Sequence, residues 1–314
     1  MIALEAVQAA RSRIAGAAIR TPVVRLNLDE APAEIWLKLE CLQPIGSFKI
    51  RGAANAIGLA SPEQLARGVW TASAGNMAQG VAWMARRRGL SCTCVVPDHA
   101  PEAKLAAITR LGAAIIKVPF SEWWNILMTH RRPGLEGLFI HPVSDPGVIA
   151  GNGTVGLEIL EDLPDVEAVI VPYGGGGLST GIASAVKALR PGVRVLAAEV
   201  ETAAPLAPSL AAGSPQAVTY QASFVDGIGS SGILAEMWPQ VSRLLDGSVV
   251  VSLRQVADAL RLVVERNHVV AEGAGAAAVA AALTGRATGK VVAVVSGGNI
   301  DAAKVARILD GAIP

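Results

Sequence analysis

Lys49 stands between Phe48 and Ile50 in WLKLECLQPIGSFKIRGA, residues 36–53. Apolar neighbours draw an ammonium group out of water, and a desolvated ammonium gives up its proton more readily to become a nucleophilic amine able to form a Schiff base. The alternative for a single lysine is an apolar stem on the surface with its charge in water. Turn residues precede Lys49 and a helix start follows, so the amine sits at an element boundary.

Three glycine-rich loops accompany it. Ser73-Ala74-Gly75-Asn76-Met77-Ala78-Gln79-Gly80 follows one β-rich run and opens a helical one, Gly174-Gly175-Gly176-Gly177 does the same after AVIVPY, and Ser296-Gly297-Gly298-Asn299 closes VVAVVS. Four consecutive glycines let the backbone bend until several N–H groups converge, and a helix N-terminus adds partial positive charge, so a phosphate is the guest that suits the second loop. A structural turn needs only one or two glycines, and four weaken a strand–helix junction through backbone entropy. The dinucleotide fingerprint fits poorly, because the region where its acidic residue belongs reads KALRPGVRV. A desolvated lysine together with a phosphate cup suggests a carbonyl cofactor that carries a phosphate.

Short β-branched runs alternating with Ala-rich helical stretches position these loops, the pattern of parallel sheets covered by helices. Strands are expected at 68–73, 92–96, 113–118 and 138–141, and again at 168–172, 193–200, 248–252 and 290–296. Helices are expected near 76–88, 102–111, 121–130, 178–190, 253–266, 274–283 and 301–310. The fold class is α/β, with two open sheets, one per half. HPVSDPGVIAGNGTVG, dense in Pro, Gly and Asn, reads as the segment that crosses between them. In parallel sheets, ligands bind beyond the carboxyl ends of the strands, where all three loops stand.

Composition narrows the partners. The 314 residues carry a formal net charge of +1 and are 52% hydrophobic, which excludes a disordered chain and leaves no basic footprint for nucleic acid or an anionic membrane. Residues 168–186 contain five glycines and a proline, and residues 202–225 contain three prolines, so neither uncharged stretch is expected to span a bilayer. The N-terminus carries Glu5 and helical periodicity, so no signal peptide is expected. Cys41, Cys92 and Cys94 lack a CxxC spacing and read as reduced packing residues, which points to the cytoplasm. His99, His130, His141 and His268 show no metal-like spacing.

The chain resembles the fold-type II pyridoxal phosphate enzymes, and within them the threonine/serine dehydratase and serine racemase branch. The resemblance is carried, in the family's order, by SFKIRGA at 47–53, SAGNMAQG at 73–80, HPVSDPGVIAGNGTVGLEIL at 141–160, PYGGGGL at 172–178, VDGIGSS at 225–231, EGAGA at 272–276 and SGGNID at 296–301. It implies a tryptophan-synthase-β-like architecture, with a large cofactor domain of residues 1–67 and 144–314 and a small domain of residues 68–143. It further implies a homodimer that eliminates water and ammonia from a small L-β-hydroxy amino acid such as threonine or serine. The resemblance also implies the short catabolic form, with no counterpart of the family's C-terminal regulatory domain expected after SGGN. Hydroxyaspartate, phenylserine, racemisation and β-replacement are the alternatives within the fold, and a non-enzymatic phosphate- or nucleotide-binding protein is the alternative outside it.

Carried over by position, the resemblance makes Lys49 the Schiff-base lysine and packs Phe48 on the cofactor ring. Asn76 meets the ring hydroxyl, Gly174, Gly175, Gly176, Gly177 and the N–H of Leu178 hold the phosphate, and Ser296 meets the pyridine nitrogen. A neutral hydroxyl there favours elimination over transamination. Ser73, Asn76, Met77 and Ala78 surround the substrate carboxylate, with Ser230 as a helper. Glu272 either lies near the cofactor or is simply a charge at a helix start. The family usually has His where Met77 stands, which implies a less polar substrate pocket, and Ala74 replaces the serine with which racemases protonate the opposite face. The family's divalent-cation site matches Glu199 and Ala203, but Pro205 replaces its second acid, so no tight metal site is expected, although Glu201 is nearby.

Overall fold

The computed structural model describes residues 1–314, Ala103 by its backbone alone. The strands are β1 (Val23–Arg25), β2 (Glu34–Leu39), β3 (Val69–Ala72), β4 (Cys92–Pro97), β5 (Ala114–Val118), β6 (Leu138–Phe139), β7 (Ala168–Pro172), β8 (Arg194–Val200), β9 (Ser248–Val251) and β10 (Lys290–Val295). They form two sheets, ordered β1-β2-β10-β7-β8-β9 and β5-β4-β3-β6. Only the β1–β2 pair is antiparallel among the described pairs.

A parallel sheet covered on both faces must be apolar on both faces. Accordingly, Ile170, Val291 and Ala293 pack on one side of the larger sheet, and Val169, Val171, Val292 and Val294 on the other. Helix Gly273–Leu283 is apolar all round and lies buried beside Ile170 and Val291, as such a helix must.

Two departures from the sequence reading bear on the site. β1 and β2 come from the N-terminal segment yet join the sheet built by the second half, with Val291 of β10 in register with Ile35. EIWLKL hides its strand behind a lysine, because Lys38 is fully buried and donates to Glu158 Oε2 and to the Thr21 carbonyl, each at 2.6 Å. The second departure is HPVSDPGVIAGNGTVG, whose greater part is helical, within Pro146–Asp162. Asp145 caps that helix by accepting from the Gly147 and Val148 amides, and Pro146 supplies the preset φ of a first turn. Its glycines mark close helix contacts: a Cβ on Gly153 would lie 2.9 Å from the Gly181 carbonyl.

The same helix binds the site's scaffold electrostatically. Arg51, two residues after Lys49, donates to Glu40 at 2.7 and 2.8 Å and to Glu158 Oε1 at 2.6 Å. Burial pushes the Glu40 carboxyl up, and the Arg51 guanidinium more than offsets this, so its pKa lies below the ordinary value. With Lys38 the cluster holds two cations and two acids. Removing one member of such a buried set costs about 3–5 kcal/mol.

Candidate active site

Lys49 begins helix Lys49–Leu59, and the residues before it are stitched to the SGGN loop. Ser47 bridges Gly297, the Phe48 amide donates to the Ser296 carbonyl at 3.0 Å, and the Gly298 amide donates to the Gly46 carbonyl at 2.9 Å. The Lys49 ammonium donates to the Pro142 carbonyl at 2.7 Å and lies 5.1 Å from the Phe48 ring centroid. Burial lowers its pKa to about 8, against the opposing pull of Glu272. The buried Ser47 hydroxyl beside it has no partner among the described residues.

The four glycines join β7 to helix Gly177–Leu189. The N–H groups of Gly174, Gly175 and Gly176 have no acceptor among the described residues, and those of Gly177 and Leu178 belong to a helix's unpaired first turn. Gly176 holds φ +96°, a conformation that favours glycine, while a Cβ on Gly175 would lie 2.6 Å from Val143 Cγ2. Val143 directly follows the carbonyl that holds Lys49, so one short turn touches both the amine and the anion cup.

The third face is the N-terminus of helix Asn76–Arg88, capped by Gly75, whose amide donates to Ser73 Oγ at 3.2 Å. Asn76 donates to Glu272 Oε1 at 2.9 Å and accepts from Asn299 Nδ2 at 2.8 Å. Glu272 precedes helix Gly273–Leu283, but its side chain makes no cap bond and turns to Asn76 instead. Burial raises its pKa to about 7, with the Asn76 amide pulling the other way. Three expected substrate-contact side chains are engaged elsewhere. Met77 and Ala78 turn their side chains into the core beside Val81 and Ala53, with Met77 only 1% exposed, so they offer the site backbone N–H groups alone. The Ser230 hydroxyl is spent on the Gly232 carbonyl at 2.6 Å.

A part-buried amine, a cup of unpaired amides and an orphaned hydroxyl suit a phosphorylated aldehyde. The model of the family described as "Pyridoxal-phosphate dependent enzyme" matches residues 14–297. The chain belongs to that family. Among its relatives is the L-threonine ammonia-lyase of Thermotoga maritima, 42% identical over 99% of this chain and 79% of that protein. The catabolic L-threonine dehydratase of Escherichia coli K12 is 38% identical over 98% of this chain and 96% of that protein. The solved structure of maize serine racemase superposes with a TM-score of 0.88 at 33% identity, covering 99% of this chain and 97% of that one.

The enzyme depends on pyridoxal phosphate. The family's cation site fits poorly here. Glu199 already accepts from the amides of Leu206 and Ala207, each at 2.8 Å, and from Ser248 Oγ at 2.6 Å. Pro205 supplies no carboxylate, and Glu201 accepts from the Leu253 amide at 2.8 Å. Three contributors escaped the sequence reading: the Pro142 carbonyl, the Asn299 side chain and Val143. Asn299 lay in a motif already singled out, whereas a backbone carbonyl leaves no signature of residue type.

Proposed function

We propose that the enzyme is an ammonia-lyase that converts a small L-β-hydroxy amino acid, threonine or serine first, to the 2-oxo acid and ammonia. The observation that carries this reading is the part-buried amine of Lys49, held on the Pro142 carbonyl one turn away from the glycine cup, with its pKa lowered to about 8. The full-length likeness to a threonine ammonia-lyase and a threonine dehydratase supplies the substrate class.

In this reading Gly174, Gly175, Gly176, Gly177 and Leu178 bind the cofactor phosphate through their amides. Phe48 flanks the ring, Asn76 and Glu272 line its hydroxyl side, and Ser296 faces its nitrogen. When bound, pyridoxal phosphate supplies an electron sink that acidifies the substrate's α-proton. Ser73 and the unpaired first-turn amides of helix Asn76–Arg88 hold the substrate carboxylate. Lys49, neutral above about pH 8, takes the α-proton, and the β-hydroxyl then leaves. The enamine released hydrolyses to the 2-oxo acid and ammonia.

No described helix is long and apolar enough to cross a membrane. A cytoplasmic homodimer, with residues 68–143 as the smaller domain, belongs to the same proposal. Confinement of β3 to β6 to one sheet supports that division.

Release of 2-oxo acid from threonine, serine, hydroxyaspartate and phenylserine tests the function. The expected result is turnover of threonine or serine that borohydride treatment abolishes. A visible, borohydride-reducible protein that releases no 2-oxo acid from any of the four would overturn it.

A further inference from the structure

The turn at 142–144 touches both ends of the proposed cofactor site. Pro142 offers its carbonyl to Lys49 Nζ at 2.7 Å, and the Val143 isopropyl group packs so closely on Gly175 that a Cβ there would come within 2.6 Å. The Val143 carbonyl holds Gly177 equally closely, since a Cβ on that glycine would approach it to 2.5 Å. What folds this turn is the ring of His141. Its Nδ1 accepts from the Ser144 amide at 2.8 Å and from the Val143 amide at 3.2 Å, and it lies 2.8 Å from the Ser144 hydroxyl.

A nitrogen that accepts from backbone amides carries no proton, so the other ring nitrogen must carry it. Nε2 accordingly donates to the Leu127 carbonyl at 3.2 Å, anchoring the turn to helix Phe120–Thr129. The ring is 2% exposed, and burial, reinforced by His130 and Lys49 against Glu236, lowers its pKa to about 4. It therefore stays in the neutral form that the turn requires. His130, His141 and Glu236 place ligand atoms within 4.8 Å of one another, but both His141 nitrogens are already hydrogen-bonded, which leaves no free lone pair for a metal.

We propose that His141 is a positioning residue that sets the spacing between the Lys49 amine and the glycine cup. The inference rests on the roles proposed above for Lys49 and the glycines. A rigid ligand held at two points gains affinity over either half only while the two anchors match its length. Loosening the turn should therefore reduce the advantage of pyridoxal phosphate over pyridoxal, which has the aldehyde but no phosphate.

Equilibrium titration of the apoprotein with both compounds tests this, alongside thermal melting of each variant. In His141→Phe the ratio of the two affinities should fall by about tenfold, the equivalent of roughly 1.4 kcal/mol. His141→Gln, whose amide both accepts and donates, should restore part of it. Should His141→Phe fail to fold, Ser144→Ala reads the same ratio, with an expected fall of about threefold from the lost hydroxyl contact. A folded His141→Phe protein with the wild-type ratio, whatever its melting temperature, overturns the proposal. A wild-type protein that binds pyridoxal as well as pyridoxal phosphate sinks the reading of the glycine loop instead.

Discussion

Asn76 donates its side-chain amide to Glu272 across 196 residues of chain, at 2.9 Å. Asn299 fixes which way that amide points, because its own Nδ2 donates to Asn76 Oδ1 at 2.8 Å. Three separate motif loops thus share one hydrogen-bonded row. Glu272 also needs Gly297 beside it, since a Cβ there would lie 2.5 Å from Oε1. The row ends close enough to Lys49 for the Glu272 charge to raise the lysine's pKa.

Lys49 therefore predicts a pH dependence. Its pKa in the folded protein, about 8, lies below the ordinary 10.5, so below pH 8 the buried charge destabilises the apoprotein fully, and the cost fades between pH 8 and 10.5 as the unfolded chain alone stays protonated. Lys49→Met apoprotein should be more stable than wild type at pH 7, with the gap narrowing above pH 8 in denaturant titrations. A gap that widens would show that the native amine is stabilised by its surroundings.

The glycines should differ among themselves. Gly174→Ala has room, its nearest neighbour lying 3.5 Å from the added Cβ, so cofactor affinity should hardly change. Gly176→Ala must keep φ +96°, which costs about 1–2 kcal/mol and disturbs the amides on either side. Equal losses of pyridoxal phosphate affinity in the two variants would contradict this account of the cup.

Met77→His tests the inward-facing side chain. A histidine placed among Val81 and Ala53 buries an unpartnered ring nitrogen, a cost of about 1–3 kcal/mol, while the backbone amide stays in place. Melting temperature should drop and the threonine-to-serine preference should stay constant. A changed preference would put this side chain in the substrate pocket after all.

Ala74 offers only a methyl group where racemases carry a hydroxyl. Wild-type enzyme should form little D-serine from L-serine, and Ala74→Ser should raise that amount, since a positioned general acid typically contributes about 10²–10⁴-fold. Chiral chromatography decides, and abundant D-serine from the wild type would assign protonation to another residue.

The carboxylate of Glu199 already accepts from Leu206, Ala207 and Ser248 and has no second acid beside it at Pro205, so chelator treatment should leave both melting temperature and bound cofactor unchanged. Pro205→Asp should introduce a rise in melting temperature with magnesium or calcium. Cation stabilisation of the wild-type protein would show that the three donors give way to a metal.

The chain's order of residues determined its alternation of strands and helices, because β-branched runs and Ala-rich stretches carry their own periodicity. It also determined where the loops stand, because consecutive glycines and a lysine between apolar neighbours are local features. Other elements depended on contacts between distant parts of the chain. β2 is a central strand despite Lys38, since Glu158 and Thr21 neutralise and bind that charge only in the folded protein. The glycines of Pro146–Asp162 look like loop residues in isolation, yet close packing on neighbouring helices makes them helical. Met77 lies beside Asn76 in the motif, but the helix turns one side chain toward Glu272 and the next into the core, because successive residues point about 100° apart. Which side chain meets which, and at what spacing, follows from the packing of elements far apart in the chain, and no local pattern of residue types encodes it.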